Sequence, residues 1–283
     1  MPKGRVSIPC TLDNKVCLIA GASGAIGRAI TRRFGEECAR LALTSRSGAR
    51  RDFCVANDNN VDVLTFALDV CDWDNVERIT KNIAERWGRI DVLVNCTGVI
   101  GPIGPLACAD VVAWRQATEI NLLGAFHLVR AVVPVMLAAR KGKIIHFSGG
   151  GAAYGRPYFT SYSASKAALV RLTESLAAEL RENNIDVNAI APGPINSRMW
   201  EELRKAGETA GAKAIEELKQ MDENGGVSPE RAADLAVFLA SERSNGLTGR
   251  LISAVHDKWN EIDGRVRDLI PADAWTLRRV PLG

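Results

Sequence analysis

The sequence predicts an α/β fold: a single-domain, doubly wound parallel sheet (Rossmann-like) with helices on both faces. Three observations predict it. Short apolar runs of strand length alternate with amphipathic stretches of helical length. A glycine-rich segment joins the first strand-like run directly to the first helix-like one. The 283 residues, 47% hydrophobic and 24% charged, suffice for one large core and leave little room for a second.

The strand-like runs fall at 16–20, 41–44, 63–67, 92–95, 143–148 and 186–190. Each is almost continuously apolar, as parallel strands covered on both faces require. Helices are predicted over 26–37, 74–87, 111–140, 162–183 and 229–240. No repeat, low-complexity tract or linker interrupts the chain before residue 255, so residues 1–255 read as one domain. Within it, 197–227 is rich in Glu, Lys and Ala and reads as mobile helices forming a lid over a cleft. Residues 256–283 read as a C-terminal extension packed on that domain, weakly helical near 260–269.

Bulk properties exclude several classes. A net charge of +3 with dispersed basic residues asks for no nucleic acid and no anionic membrane, and 49–51 reads as a solvated loop. Seven cysteines without a C-x-x-C pair argue against a disulfide framework and a zinc site and fit a reducing cytoplasm. His127, His146 and His256 lack metal-ligand spacing, so no metal site is expected. The first 14 residues have no apolar signal core, and no uninterrupted apolar run approaches the roughly 18 residues of a membrane span.

Gly21, Ser23, Gly24, Ala25, Ile26 and Gly27 lie between the first strand and the first helix. In that setting glycines allow a pyrophosphate to approach the backbone, and the helix N-terminus offers free N–H groups and positive potential. An acidic residue ending the second strand would bind ribose hydroxyls; the chain reads Leu43-Thr44-Ser45-Arg46-Ser47 instead. Arg46 can pair with a 2′-phosphate, so NADP(H) is favoured, with NAD(H) possible. Tyr162 and Lys166 stand four apart on one helical face. An ammonium there is expected to draw the phenol down from about 10 toward working pH and make Tyr162 a general acid/base. Ser161 and Ser163 have no histidine partner in the pattern, which leaves a serine hydrolase without support.

With Tyr162-Ser-Ala-Ser-Lys166 on the page, the chain resembles the short-chain dehydrogenase/reductase family over about residues 12–251. Leu68-Asp69-Val70 resembles the family's adenine-flanking strand end, and Asn95-Cys96-Thr97-Gly98 its Asn-Asn-Ala-Gly loop. Asn121 resembles the helix-borne catalytic asparagine, and Pro192-Gly193-Pro194-Ile195-Asn196-Ser197 the turn over the nicotinamide. The resemblance implies cofactor contacts at Asp69, Val70, Asn95, Gly98, Pro192 and Gly193, with Ile195 reaching the carboxamide through its backbone and Ser197 through its hydroxyl. It also implies that Lys166 holds the nicotinamide ribose, that Asn121 holds a water linking Lys166 to solvent, and that the two long apolar helices pack against another subunit in a homodimer or homotetramer. The implied activity is hydride transfer between NADP(H) and a carbonyl or secondary alcohol.

Four departures stand out. Ala25 occupies the place of the middle phosphate-loop glycine. Cys96 and Thr97 replace Asn-Ala, which weakens the expected brace between the central strands. Counting back from Tyr162 puts the substrate-binding serine at Gly149, so either Ser148 or a backbone N–H takes over. The usual Asp-Gly-Gly near the last strand is absent, which leaves the tail free to line the cleft or a subunit contact. Two further readings stay open: a catalytically weak NADP(H)-binding scaffold or sensor, and a nucleotide-sugar epimerase or dehydratase, against which the short C-terminal third counts. Tyr154, Pro157, Tyr158 and Phe159 are expected to form a substrate wall suited to an apolar or ring-shaped molecule.

Overall fold

The computed structural model describes residues 11–53, 62–262 and 273–278. Among these, seven parallel strands form one sheet: β1 Val16–Ala20, β2 Arg40–Ser45, β3 Val63–Ala67, β4 Val92–Asn95, β5 Gly142–Phe147, β6 Ile185–Ala191 and β7 Leu251–Ser253, in the order β3-β2-β1-β4-β5-β6-β7. Every residue of β1, β4 and β5 is buried, which is why these segments carry no hydrophobic alternation in sequence. The three-residue β7 escaped the sequence reading because so short a run leaves no periodicity to detect.

The helices are α1 Ala25–Glu36, α2 Trp73–Trp87, α3 Val111–Thr118, α4 Gly124–Ala139, α5 Thr160–Leu180, α6 Arg198–Ala206, α7 Ala212–Asn224 and α8 Pro229–Ala240. Their ends follow local chemistry. The Asp72 carboxylate accepts from the Asn75 N–H to start α2, and Gly88, with φ +74°, ends it. Asp110 caps α3 at the Val112 and Ala113 N–H groups, and Ser228 caps α8 ahead of Pro229.

The core has two halves, one on each face of the sheet. On one, Ile30 and Phe34 of α1 and Leu235, Phe238 and Leu239 of α8 pack on Ile19, Leu43 and Val94. On the other, Ile79 and Ile83 of α2, Leu128 and Val132 of α4 and Leu180 of α5 cover Leu18, Leu93 and Ile144.

The helix expected over 111–140 is not continuous: a π-helical turn at Glu119–Leu123 separates α3 from α4. The whole run Val111–Ala139 is long and apolar enough to cross a membrane by length and composition, yet Leu128, Val129, Val132 and Met136 pack it on the sheet. Its outer side leaves Val111, Val112, Leu123 and Phe126 exposed.

Three expectations are corrected or bounded here. Cys38 is disulfide-bonded, whereas the sequence argued against a disulfide framework, because pairing is set by proximity in the fold and needs no spacing motif; Cys17, Cys71, Cys96 and Cys108 are free. Cys10, Cys54 and most of the expected 260–269 helix lie outside the described residues. Residues 273–278 lie beside β7 and α5, with the Leu251 N–H donating to the Trp275 carbonyl and the Leu277 N–H to the Glu174 carboxylate. The described part of the tail therefore borders the sheet edge.

Candidate active site

Strand order reverses between β1 and β4, and the crevice outside the C-terminal ends of the strands at such a reversal is the place where α/β sheets bind ligands. The glycine loop begins there. Gly21 has φ +77°, and a Cβ on it would stand 3.1 Å from the Cys96 carbonyl and the Thr97 nitrogen. A Cβ on Gly27 would stand 2.3 Å from the Gly21 carbonyl oxygen, whereas one on Gly24 would meet only that oxygen, at 3.5 Å. The tight positions are therefore 21 and 27, and Ala25 sits without conflict as the first residue of α1. Ile26 follows it in the first turn, and the Ser23 carbonyl accepts from Arg28 Nε. With Gly24 as N-cap, α1 has no side-chain cap and no acidic residue in its first turn, so its positive end suits an anion.

Arg46 is exposed just beyond β2, in a turn held by the Gly48 N–H donating to Ser45 Oγ. Asp69, exposed, accepts from the Cys71 N–H through its carboxylate, and the buried Val70 offers its carbonyl to His127 Nδ1. Asn95 Oδ1 accepts from both the backbone N–H and the hydroxyl of Thr97, at 3.0 and 2.6 Å. The Thr97 hydroxyl thus fastens Asn95 within its own loop, a local bond that residue-type comparison did not foresee.

Asn121, Lys166 and Gly98 converge. Asn121 sits buried in the π turn, where its amide accepts from the Val99 N–H and donates to the Val99 carbonyl, each at 2.9 Å, and donates to Ser165 Oγ at 3.0 Å. Ser165 in turn donates to the Tyr162 carbonyl. The sequence reading missed Ser165 as the link between Asn121 and α5; its place three residues after Tyr162 was the available signal. Lys166 Nζ is buried and donates to the Phe147 carbonyl at 2.7 Å. A Cβ on Gly98 would stand 3.1 Å from Lys166 Nζ and 3.3 Å from Asn121 Oδ1, so a side chain there would crowd both.

Electrostatics depart from the expected pattern. Burial pushes Lys166 down to about 8, with Cys96 opposing weakly. Burial likewise pushes the Tyr162 phenol above its ordinary value, with the Arg156 guanidinium pulling the other way. The sequence expected Lys166 to lower Tyr162. In the fold its Nζ lies 6.0 Å from the ring centroid and is bonded to a carbonyl, and desolvation wins. Burial, with the nearby Lys166 charge, holds the fully buried His146 down to about 3, so its imidazole stays neutral.

Ser148 Oγ is buried and makes no hydrogen bond, so it is not joined to Tyr162 or Lys166. Gly149 is the residue that meets the Tyr162 hydroxyl. On the far side of the crevice, Pro192 is buried, Gly193 has φ +84°, and the Pro194 carbonyl accepts from the Val227 N–H. Ile195 is buried, and Ser197 is the N-cap of α6 without a side-chain hydrogen bond.

The segment expected to form a lid contains α6 and α7. Leu203, Ala210 and Ala214 are buried against Ile100 and Phe159, with Tyr162, Met199 and Trp200 packed around them. Arg156 lies over the Phe159 ring at 4.2 Å and ion-pairs with Glu217, which joins α7 to the loop before α5. Tyr158 packs on Gly211, whereas Tyr154 is exposed. Half-exposed pairs contribute on the order of 0.5–1 kcal/mol. Glu217→Gln is therefore expected to speed amide hydrogen exchange in α7 about two- to fivefold, and unchanged exchange would mean that the apolar cluster alone holds α7.

A family model described as enoyl-(acyl carrier protein) reductase matches residues 21–258. The chain belongs to the short-chain dehydrogenase/reductase family. It is 36% identical over 244 residues to the 3-oxoacyl-[acyl-carrier-protein] reductase of Thermotoga maritima, covering 85% of this chain and 96% of that one. The crystal structure of NAD+-bound xylitol dehydrogenase superposes with a TM-score of 0.78 at 25% identity, covering 86% of this chain and 98% of that one. An actinorhodin polyketide ketoreductase variant with NADPH gives 0.77 at 26%, covering 86% and 97%. As a member of this short-chain family, the chain is an NAD(P)-dependent oxidoreductase acting on CH–OH or C=O groups.

Proposed function

We propose that this enzyme transfers a hydride between NADP(H) and a ketone or secondary alcohol, with Tyr162 as general acid/base and Lys166 and Asn121 as its partners. The observation that carries the reading is the junction at Gly98, where the buried Asn121 and Lys166 both approach the backbone and Lys166 stands one helical turn from Tyr162. The chain's residues fit the dinucleotide: the uncapped α1 end and Gly21 for the pyrophosphate, with Ser23, Gly24, Ala25, Ile26 and Gly27 around it; Asp69 and Val70 beside the adenine; Asn95, Gly98, Pro192, Gly193, Ile195 and Ser197 toward the nicotinamide. When bound, the nicotinamide supplies or accepts the hydride. Tyr162 gives its phenolic proton to the developing alkoxide in reduction and takes it back in oxidation. Lys166, as an ammonium, stabilises the phenolate and holds ribose hydroxyls; Asn121 fixes the loop at Val99 and the α5 face at Ser165. Relatives named for an oxoacyl group, a polyketide and a polyol share only the carbonyl/alcohol carbon, and that is the substrate class proposed here.

Arg46 supports NADP(H): it is exposed and, among the described residues, carries no hydrogen bond or ion pair. A charge-assisted contact is worth about 1.5–3 kcal/mol. Arg46→Ala is expected to weaken NADPH binding roughly 10- to 100-fold and leave NADH binding unchanged, read by fluorescence titration. Equal affinities in the wild type would remove the preference. A homodimer or homotetramer belongs to the same reading, supported by the exposed Val111, Val112, Leu123 and Phe126; so does action in the cytoplasm, supported by the likeness to an acyl-carrier-protein reductase.

The absence of a hydroxyl at Gly149 favours one second reading, a scaffold that binds the dinucleotide without turnover. It requires tight NADPH binding and no hydride transfer across a broad carbonyl and alcohol panel; one good substrate dismisses it. The same panel tests Ser148, whose replacement by alanine slows turnover only if that hydroxyl serves the substrate oxygen.

A further inference from the structure

We propose that Arg156 is a positioning residue that acts through Tyr162: its guanidinium is a second cation for the Tyr162 phenolate, and Glu217 governs how much of that charge the phenol feels. The inference rests on the assignment of Tyr162 as the proton donor.

Three placements carry it. Arg156 precedes α5, and its guanidinium carbon lies 4.2 Å from the centroid of the Phe159 ring. Phe159 is buried, stands three residues before Tyr162, and shares one apolar cluster with it. The guanidinium and the phenol thus have apolar side chain about them in place of bulk water, and a charge is felt further in such a medium. The third placement is Glu217 of α7, whose carboxylate pairs with Arg156 Nη2 at 2.5 Å. With side-chain exposures of 25% and 35% the pair is only partly wet, so salt and water screen it less than they screen a surface pair.

Among the described residues, the other elements packed on Tyr162 present apolar groups: Ile100 after β4, Trp200 and Leu203 of α6, and Leu218 of α7. The loop after β5 faces the phenol with Gly149. Arg204 of α6 is paired with Asp222 of α7. On α5 itself, Lys166 Nζ lies 6.0 Å from the Tyr162 ring centroid and donates to the Phe147 carbonyl. Arg156 is the cation that opposes burial at the phenol.

The two halves of this ion pair therefore act on Tyr162 with opposite sign. Removing the guanidinium takes away a charge that favours phenolate, whereas removing the carboxylate leaves that charge uncancelled. A pair that did no more than tie α7 to the loop would behave differently. Breaking such a tie from either side would admit water to the phenol, relieve its desolvation and lower its titration midpoint in both variants.

The test measures the phenol in Arg156→Gln, Glu217→Gln and Arg156→Lys, each made in the full chain. The chain has three tyrosines, so a Tyr154→Phe/Tyr158→Phe background leaves Tyr162 as the single phenol for ultraviolet difference titration. Arg156→Gln should raise the midpoint and Glu217→Gln should lower it, each by about half a pH unit, with Arg156→Lys close to the reference. Without the background substitutions, kcat/KM for alcohol oxidation below the midpoint should fall about threefold in Arg156→Gln and rise about threefold in Glu217→Gln. An unchanged or lowered midpoint in Arg156→Gln overturns the proposal, as does an Arg156→Lys variant that shifts as far as Arg156→Gln. If Arg156→Gln does not fold, Arg156→Met, which keeps an unbranched stem for the Phe159 ring, repeats the measurement and decides. If the wild type turns over no substrate, the assignment of Tyr162 fails, while the titration still reads whether Arg156 stabilises its phenolate.

Discussion

Tyr162→Phe is expected to lower kcat by about 10²- to 10⁴-fold, the range that a positioned general acid supplies, with NADPH affinity within about twofold of the wild type. The ring survives the change, so the packing of Tyr162 beside Phe159 and Leu203 survives with it, and only the proton donor is lost. Stopped-flow hydride transfer and equilibrium binding together separate the two effects. A variant with normal turnover would end the assignment of Tyr162. A variant that binds no NADPH would place the phenol in cofactor binding instead.

The second large effect is expected at Lys166, and it carries a pH signature. Burial holds this lysine at about 8 in the folded chain, against an ordinary value of 10.5. As pH rises through 8 the ammonium is lost, and kcat/KM for reduction should fall toward tenfold per unit above that point. Stability moves the opposite way. Between about 8 and 10.5 the unfolded chain binds more protons than the folded one at this residue, so its contribution to stability rises with pH across that window; below it the buried charge is a constant cost. Lys166→Met should reduce turnover on the order of 10³-fold and abolish both pH trends. Thermal melts on either side of pH 8, compared between wild type and variant, isolate the lysine from other titrating groups. A wild-type activity profile flat through pH 8 would show that Lys166 does not act as an ammonium.

Much of this site was legible because its residues are close in sequence or bound to a strand-to-helix turn. Gly21 and Gly27 sit in one loop, and Tyr162 and Lys166 on one helical face, so spacing alone brings each pair together. The strands were legible for a similar reason: β1, β3 and β4 are short apolar runs with polar or glycine boundaries. Three things were not legible. The π turn holds Asn121, whose amide bonds Val99, 22 residues away. The Thr97 bridge to Asn95 uses a hydroxyl where family likeness led us to expect none. The Arg156–Glu217 pair joins residues 61 apart, and no local pattern encodes it.

The sequence by itself determined the sheet class, the phosphate loop and which residue types could do the chemistry, because these depend on periodicity and on spacing within a turn or a helix. Tertiary structure alone decided how those residues are poised. Desolvation depends on what packs around a group, so Tyr162 is raised where spacing suggested it would be lowered. Available volume also depends on what packs around a position, so a Cβ on Gly149, which in sequence looks like a missing serine, would meet the Tyr162 hydroxyl at 2.6 Å.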